Sequence, residues 1–194
     1  MKLFRILPLL GFLLLLSCVT GERQQPVAEP VKQELPDPDY NPESRLSDLG
    51  IELSPPSAPV ANYVNAVRVG NLIFLAGKGP KDADGQYVTG KLGSDLTVEE
   101  GYEAARLAGI SQLSVLQAEL GNLNRVKRIV KVLGMVNATP DFTDHPEVVN
   151  GFSDLMVAVF EERGKHARAA VGMGSLPRGI AVEVEMVVEV YGEE

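Results

Sequence analysis

The stretch HARAAVGMGSLPRGIAVEVEMVVEV, residues 166–190, holds the fold and the chemistry side by side. Arg168 stands at the start of an apolar segment that alternates like a buried strand. Leu176-Pro177 then turns a corner, and a second strand, Ala181 to Val190, carries Glu183, Glu185 and Glu189. Residues two apart on a strand share a face, so Glu183 and Glu185 project together. The reading is that the corner brings a fixed cation near carboxylates, an arrangement that can hold and hydrolyse a small carboxylated metabolite. The plainer alternative is a surface ion pair on two ordinary strands, which contributes little.

Working upstream, Asp144 to Glu147 has capping spacing, and Pro146 falls in the first turn, where its missing amide costs nothing. A helix is expected from there to about Arg163, with Val149, Phe152, Met156, Val159 and Phe160 on its inner face. Val126 to Val136 is rich in β-branched residues and reads as a central strand, its Lys127, Arg128 and Lys131 forming a solvated face. Thr97-Val98-Glu99-Glu100 is a capping box for a helix running to about Leu120, with an apolar stripe from Val98 through Ala105 and Leu113 to Leu120. Val64–Val69 and Asn71–Ala76 form a hairpin through Gly70, closed by Gly77, Gly79 and Pro80. A loop, Lys81 to Ser94, has a turn at Asp84-Gly85 and room for a short strand at Gln86–Val88. The expected order is β-β-(β)-α-β-α-β-β. Two helices on one side of a mixed sheet make a compact α+β domain.

The N-terminus has a different character. Lys2 and Arg5 precede an apolar run, Ile6 to Leu16, that is short for a bilayer span and contains Pro8, so a secretory signal fits better. Ser17-Cys18 ends the run in the manner of a bacterial lipoprotein signal, which it resembles. That resemblance implies lipidation of Cys18 and a membrane anchor; Val19 rather than Asp after it implies the outer membrane, periplasmic side. Cys18 is the one cysteine in the chain, so no intramolecular disulfide forms. Proline spaced through a polar stretch stiffens a tether without letting it fold. The expected organisation is therefore a signal over 1–18, a disordered tether over 19–43 and a folded domain over 44–194. Leu46, Leu49, Ile51 and Leu53 are placed to pack on the domain surface.

Net charge at pH 7 is −8 in 194 residues, with no Trp. An acidic chain without an aromatic platform argues against nucleic acid as partner. His145 and His166 are too isolated for a metal site; His145 belongs to a helix start and His166 to a loop beside a cleft. Gly77-Lys78-Gly79 lacks the spacing of a phosphate loop.

Arg168, Val171, Leu176-Pro177 and Glu183, with Tyr63 before the first strand, Gly77 after the second and Asn150 in the second helix, resemble the signature of the Rid family of YjgF-type reactive-intermediate deaminases. Long matches at Gly90–Ala108 and Lys131–Gly151 point to the branch labelled Rid-like or "endoribonuclease L-PSP". The resemblance implies a chorismate-mutase-like fold and a homotrimer with clefts between subunits. It implies a hydrolase that converts 2-imino and enamine acids to 2-keto acids and ammonia without metal or organic cofactor. By position, Arg168 clamps the substrate carboxylate and Glu183 orients the water, with Glu185 able to serve instead. The Ala170 backbone adds a polar contact, Gly77 and Asn150 line the site, and Tyr63 forms a cleft wall or packs in the trimer. Ala76 stands where many members have serine, and Lys78 where glutamine is common. The other reading is a non-catalytic trimeric binding protein for small carboxylates at the cell envelope. Ribonuclease activity, carried by family labels, is disfavoured by the acidic charge and the lack of a histidine acid–base pair.

Overall fold

The computed structural model describes residues 36–192. The expected lipoprotein signal, Cys18 and most of the tether lie outside them. Five strands form one sheet in the order β1-β2-β5-β3-β4. Two long helices lie on one face, and a short third helix docks near their ends. This is a mixed α+β fold of the chorismate-mutase-like kind.

β1 (Ala66–Val69) and β2 (Leu72–Lys78) pair antiparallel, Val69 opposite Leu72. The tight turn between them is the one expected at Gly70, whose φ of 59° lies where glycine is favoured. α2 (Val98–Leu120) begins at the capping box: Thr97 accepts from the Glu100 amide while Glu100 accepts from the Thr97 amide. It ends at Gly121 in the left-handed conformation. β3 (Val126–Asn137) is the expected central strand, flanked by β5 (Val182–Val190) antiparallel and β4 (Ala167–Met173) parallel. α3 (His145–Phe160) makes the crossover that a parallel pair requires. No strand forms at Gln86–Val88; Tyr87 and Thr89 make only single bridges, to Lys81 and Ile180.

The core lies between helices and sheet. Val132, Val136, Val182, Val184, Met186 and Val188 face up from the strands; Ala105, Leu113, Leu116, Val149, Phe152 and Met156 face down. α2 and α3 touch nearly backbone to backbone, since a Cβ on Gly151 would stand 2.0 Å from the Tyr102 carbonyl oxygen. Among the described residues no layer covers the opposite sheet face: Val67, Val69, Leu72, Phe74 and Val171 are exposed.

Ordered packing starts ahead of Ser44. α1 (Pro42–Asp48) is capped by the Asn41 side chain, a short polar helix that periodicity gave no sign of. The Tyr40 hydroxyl donates to the Phe160 carbonyl at 2.7 Å, and the Glu43 carboxylate accepts from the Leu123 amide at 2.6 Å. Arg163 stacks 3.7 Å above the Tyr40 ring. Burial pushes the Tyr40 phenol up to about 12.

Candidate functional site

Arg168 sits on β4 directly beside Val132 of β3, and Val132 is also in register with Met186 of β5. Residues in register share a face, and Val132 and Met186 are buried beneath the helices. Arg168 therefore points to the helix side, at α3. Its Nη1 donates to Asn150 Oδ1 at 2.9 Å and to Ser153 Oγ at 3.0 Å; its Nη2 donates to the Pro146 carbonyl at 3.4 Å. A guanidinium has five N–H donors. Two are left over, Nε–H and one on Nη2, on the two nitrogens whose fork matches a carboxylate. Among the described residues no carboxylate pairs with Arg168. The side chain lines a cavity of about 260 Å³ with Ser153, Val157, Lys165 and His166.

Behind the guanidinium runs a short relay. His166 Nδ1 lies 2.7 Å from the Gly164 carbonyl, which can only accept, so Nδ1 carries the proton. Nε2 is then an acceptor and takes the Ser153 hydroxyl at 3.1 Å. Ser153 Oγ in turn accepts from Arg168. Burial, with some help from the Arg168 charge, holds the His166 imidazole below its ordinary value and keeps it neutral. The direction of every bond is thus fixed. Ser153 and His166 were not singled out as binding residues from the sequence, yet the signal was there: Ser153 is one turn from Asn150, and His166 is two residues before Arg168.

Glu183 occupies the other face. It lies three residues from Met186, an odd number, and pairs with Met135 on the open side of β3. Burial and the neighbouring Glu185 both raise its carboxyl above the usual range. The carboxylate lies across Gly77: a Cβ there would meet Glu183 Oε1 at 2.1 Å. Gly77 falls in a bulge of β2, where the register against β5 shifts between Leu75 and Lys78. Bulges often re-aim side chains near active sites. This one is stapled by Gln112 of α2, fully buried, whose Nε2 donates to the Ala76 and Val184 carbonyls at 3.0 and 2.6 Å. A polar glutamine inside an apolar helix stripe was the cue to that role.

One expectation is overturned. The Leu176-Pro177 corner does not bring Arg168 to the carboxylates within one chain, nor make an ion pair between the last two strands. β4 and β5 are not neighbours; β3 runs between them. Two strand spacings and three residues of offset separate the Arg168 and Glu183 Cα atoms by about 14 Å, with the side chains on opposite faces. Of the other expected site residues, Asn150 is brought to Arg168 and Gly77 to Glu183. Ala170, partly buried, faces the helix side two residues beyond Arg168. Tyr63 is about half exposed, just ahead of β1. No group of three His, Cys, Asp or Glu able to hold a metal occurs among the described residues.

Known proteins match this chain along most of its length. Residues 43–190 fit the family described as "YjgF/chorismate_mutase-like, putative endoribonuclease". Protein TCP17 of Trypanosoma cruzi is 48% identical over 147 residues, 75% of this chain and 92% of that protein. The crystal structure of Atu1372 from Agrobacterium tumefaciens, a protein of unknown function, superposes with a TM-score of 0.69 at 38% identity, over 77% of this chain and 91% of that one. The crystal structure of a "putative endoribonuclease" from Shewanella oneidensis reaches a TM-score of 0.74 at 34% identity, over 77% of this chain and 99% of that one. With the family description fitting residues 43–190 and a relative 48% identical across 75% of its length, this chain belongs to the YjgF/chorismate mutase-like family, the Rid-like proteins.

Proposed function

We propose that this protein is a Rid-type hydrolase that releases ammonia from reactive 2-imino and enamine acids, at clefts between the subunits of a homotrimer. One observation carries the reading. Arg168 is held by neutral oxygens only, faces a cavity and keeps two N–H donors unused, on Nε and Nη2, which suits a receptor for a carboxylate.

The chemistry balances on the chain's own residues. With the carboxylate clamped, the 2-imino carbon is fixed in place. Glu183 accepts a proton from water as the water oxygen bonds to that carbon and returns it to nitrogen, giving a carbinolamine; it then passes the hydroxyl proton to the same nitrogen, so that the C–N bond breaks as C=O forms, leaving the 2-keto acid and ammonia. A carboxyl raised by burial suits a group that must hold and give back a proton. Arg168 and Glu183 of one chain cannot reach one substrate, which supports a cleft taking Arg168 from one subunit and Glu183 from the next. The bare apolar sheet face supports the same assembly. Lipidation at Cys18 would place the trimer at the cell envelope, on the periplasmic side of the outer membrane.

The test uses the full chain. An amino-acid oxidase generates imino acids, semicarbazide traps them, and wild type is compared with Arg168→Ala and Glu183→Gln. Trapping suppressed by wild type and restored in both variants is the expected result. No suppression by trimeric wild type across several imino acids would sink the deaminase reading.

A further inference from the structure

The Ser153 and His166 pair that supports the Arg168 guanidinium also has the arrangement of a nucleophile and its base. A serine oxygen has one donor and two lone pairs. The Ser153 proton goes to His166 Nε2 at 3.1 Å, and one lone pair takes the Arg168 Nη1–H at 3.0 Å. The second lone pair is left over, on a side chain that lines the cavity of about 260 Å³.

The base is oriented as the third member of a triad would orient it. His166 Nδ1 donates to the Gly164 carbonyl at 2.7 Å, which fixes the tautomer and leaves Nε2 to accept. That carbonyl is itself held in place. Gly164 packs so closely on α3 that a Cβ there would stand 2.2 Å from the Met156 carbonyl oxygen. The Phe152 ring meets the imidazole edge to face, with centroids 6.3 Å apart and planes at 78°. Burial keeps the ring neutral at pH 7 and so able to take a proton. To hold Arg168 a serine need only offer an oxygen. A hydroxyl whose own proton is drawn to a fixed, neutral imidazole is more than that task asks.

We infer that Ser153 is a nucleophile, with His166 as its base and Arg168 as the charge that steadies the intermediate, and that this cavity hydrolyses short-chain carboxylic esters through an acyl-serine. The activity is independent of the proposed imine hydrolysis. Ser153 of α3, His166 just ahead of β4 and Arg168 of β4 belong to one chain, and neither Glu183 nor a second subunit takes part. Ser153 Oγ bonds to the ester carbonyl carbon as its proton passes to His166 Nε2. The negative oxygen that forms is stabilised by the unused N–H donors of Arg168. The bond from carbon to the alkoxy oxygen then breaks, and Nε2 gives the proton to the departing alcohol. Water repeats the sequence on the acyl-serine: its proton goes to Nε2, its oxygen bonds to the acyl carbon, the C–Oγ bond breaks and the proton returns to Ser153. Ester and water have become acid and alcohol. The Arg168 charge disfavours an imidazolium standing alone, but here the imidazolium forms only together with the oxyanion that Arg168 attracts. The small volume of the cavity is what limits the substrate to a short acyl chain.

The test uses the full chain and two probes, diisopropyl fluorophosphate and 4-nitrophenyl acetate. The fluorophosphate is expected to leave a stable phosphoryl adduct on Ser153, located by peptide mass spectrometry, and to stop the release of 4-nitrophenol. His166→Gln, shown to be folded by circular dichroism, should be labelled and turn over at least about 100-fold more slowly. Ser153→Ala should show no adduct there and only the background acetylation of surface amines. A wild-type protein that gains no adduct at Ser153, or whose acetyl groups map to lysines alone, would overturn the inference without recourse to any variant and leave the imine reading standing. Equal labelling of Ser153 in wild type and in folded His166→Gln would overturn the role of the base.

Discussion

The contact between Gly77 and Glu183 permits a mutation that moves the carboxylate proposed to position the water, without altering its charge. In Gly77→Ala the new Cβ would lie 2.1 Å from Oε1, 2.9 Å from Cδ and 3.0 Å from Cγ, against an ordinary contact beginning at 3.4 Å. The carboxylate must therefore retreat by at least about 1 Å, a displacement able to cost on the order of 10²-fold in rate. Gly77 does not have a positive φ, so alanine meets no backbone penalty. The yielding group is the tip of a flexible side chain, so the fold is expected to lose nothing and even gain up to about 1 kcal/mol from the stiffer unfolded chain. The expected phenotype is specific: kcat in the semicarbazide-trap assay falls about 100-fold, because proton transfer from the attacking water is mis-aimed. Affinity for the 2-keto acid product, set by Arg168, stays within about twofold by calorimetry, and the melting temperature holds or rises. A Gly77→Ala protein with wild-type kcat and an intact assembly would refute the role given to Glu183 in this pose. Loss of kcat with a lowered melting temperature would refute the claim that the carboxylate alone yields.

In imine hydrolysis the relay behind Arg168 should matter to binding rather than chemistry. Ser153→Ala removes one acceptor of the guanidinium but leaves the Asn150 and Pro146 oxygens, so KM should rise about fivefold with kcat unchanged; a fall in kcat alone would contradict it. His166 has its affinity for a proton depressed in the folded state, so the unfolded chain binds that proton more readily. The stability it supports is present above the ordinary histidine value near 6.5 and is lost as pH falls through the lower folded value. The melting-temperature advantage of wild type over His166→Gln should therefore be largest at pH 7.5 and shrink through pH 6.5 and 5.5, and a gap independent of pH would exclude the relay as drawn. At the N-terminus, a chain starting at Ser44 loses the Tyr40 and Glu43 hydrogen bonds and the Arg163–Tyr40 stack. It should be less stable than one starting at Pro36 by about 2–4 kcal/mol; equal denaturant midpoints would show that α1 rests on the domain without stabilising it.

Local pattern made the elements legible. The Thr97–Glu100 capping box placed the start of α2 and Gly121 its end; the β-branched run from Val126 placed β3; Gly70 placed the hairpin. Each of these signals is short in range. α1 escaped because seven residues beginning with proline, with only Leu46 and Pro42 buried, carry too little periodicity to register. Strand order escaped for a deeper reason. A Leu-Pro corner between two strands says that the chain turns, not which strand it turns back beside, and the pairing of both with β3 is decided by residues far away in the sequence.

That difference in range decides what the site must be. Had β4 and β5 been neighbours, Arg168 and Glu183 would have formed a surface ion pair within one chain, an inert arrangement worth little. By inserting β3, the fold puts the cation under α3 and the carboxylate on the bare face, and leaves each without a partner of opposite charge among the described residues. Two unanswered charges on opposite sides of one sheet cannot serve one small substrate, but they can when copies of the chain bring one face to the other. The sequence legibly supplied the two chemical groups; their separation, which only the strand order fixes, is the reason to expect a cleft shared between subunits.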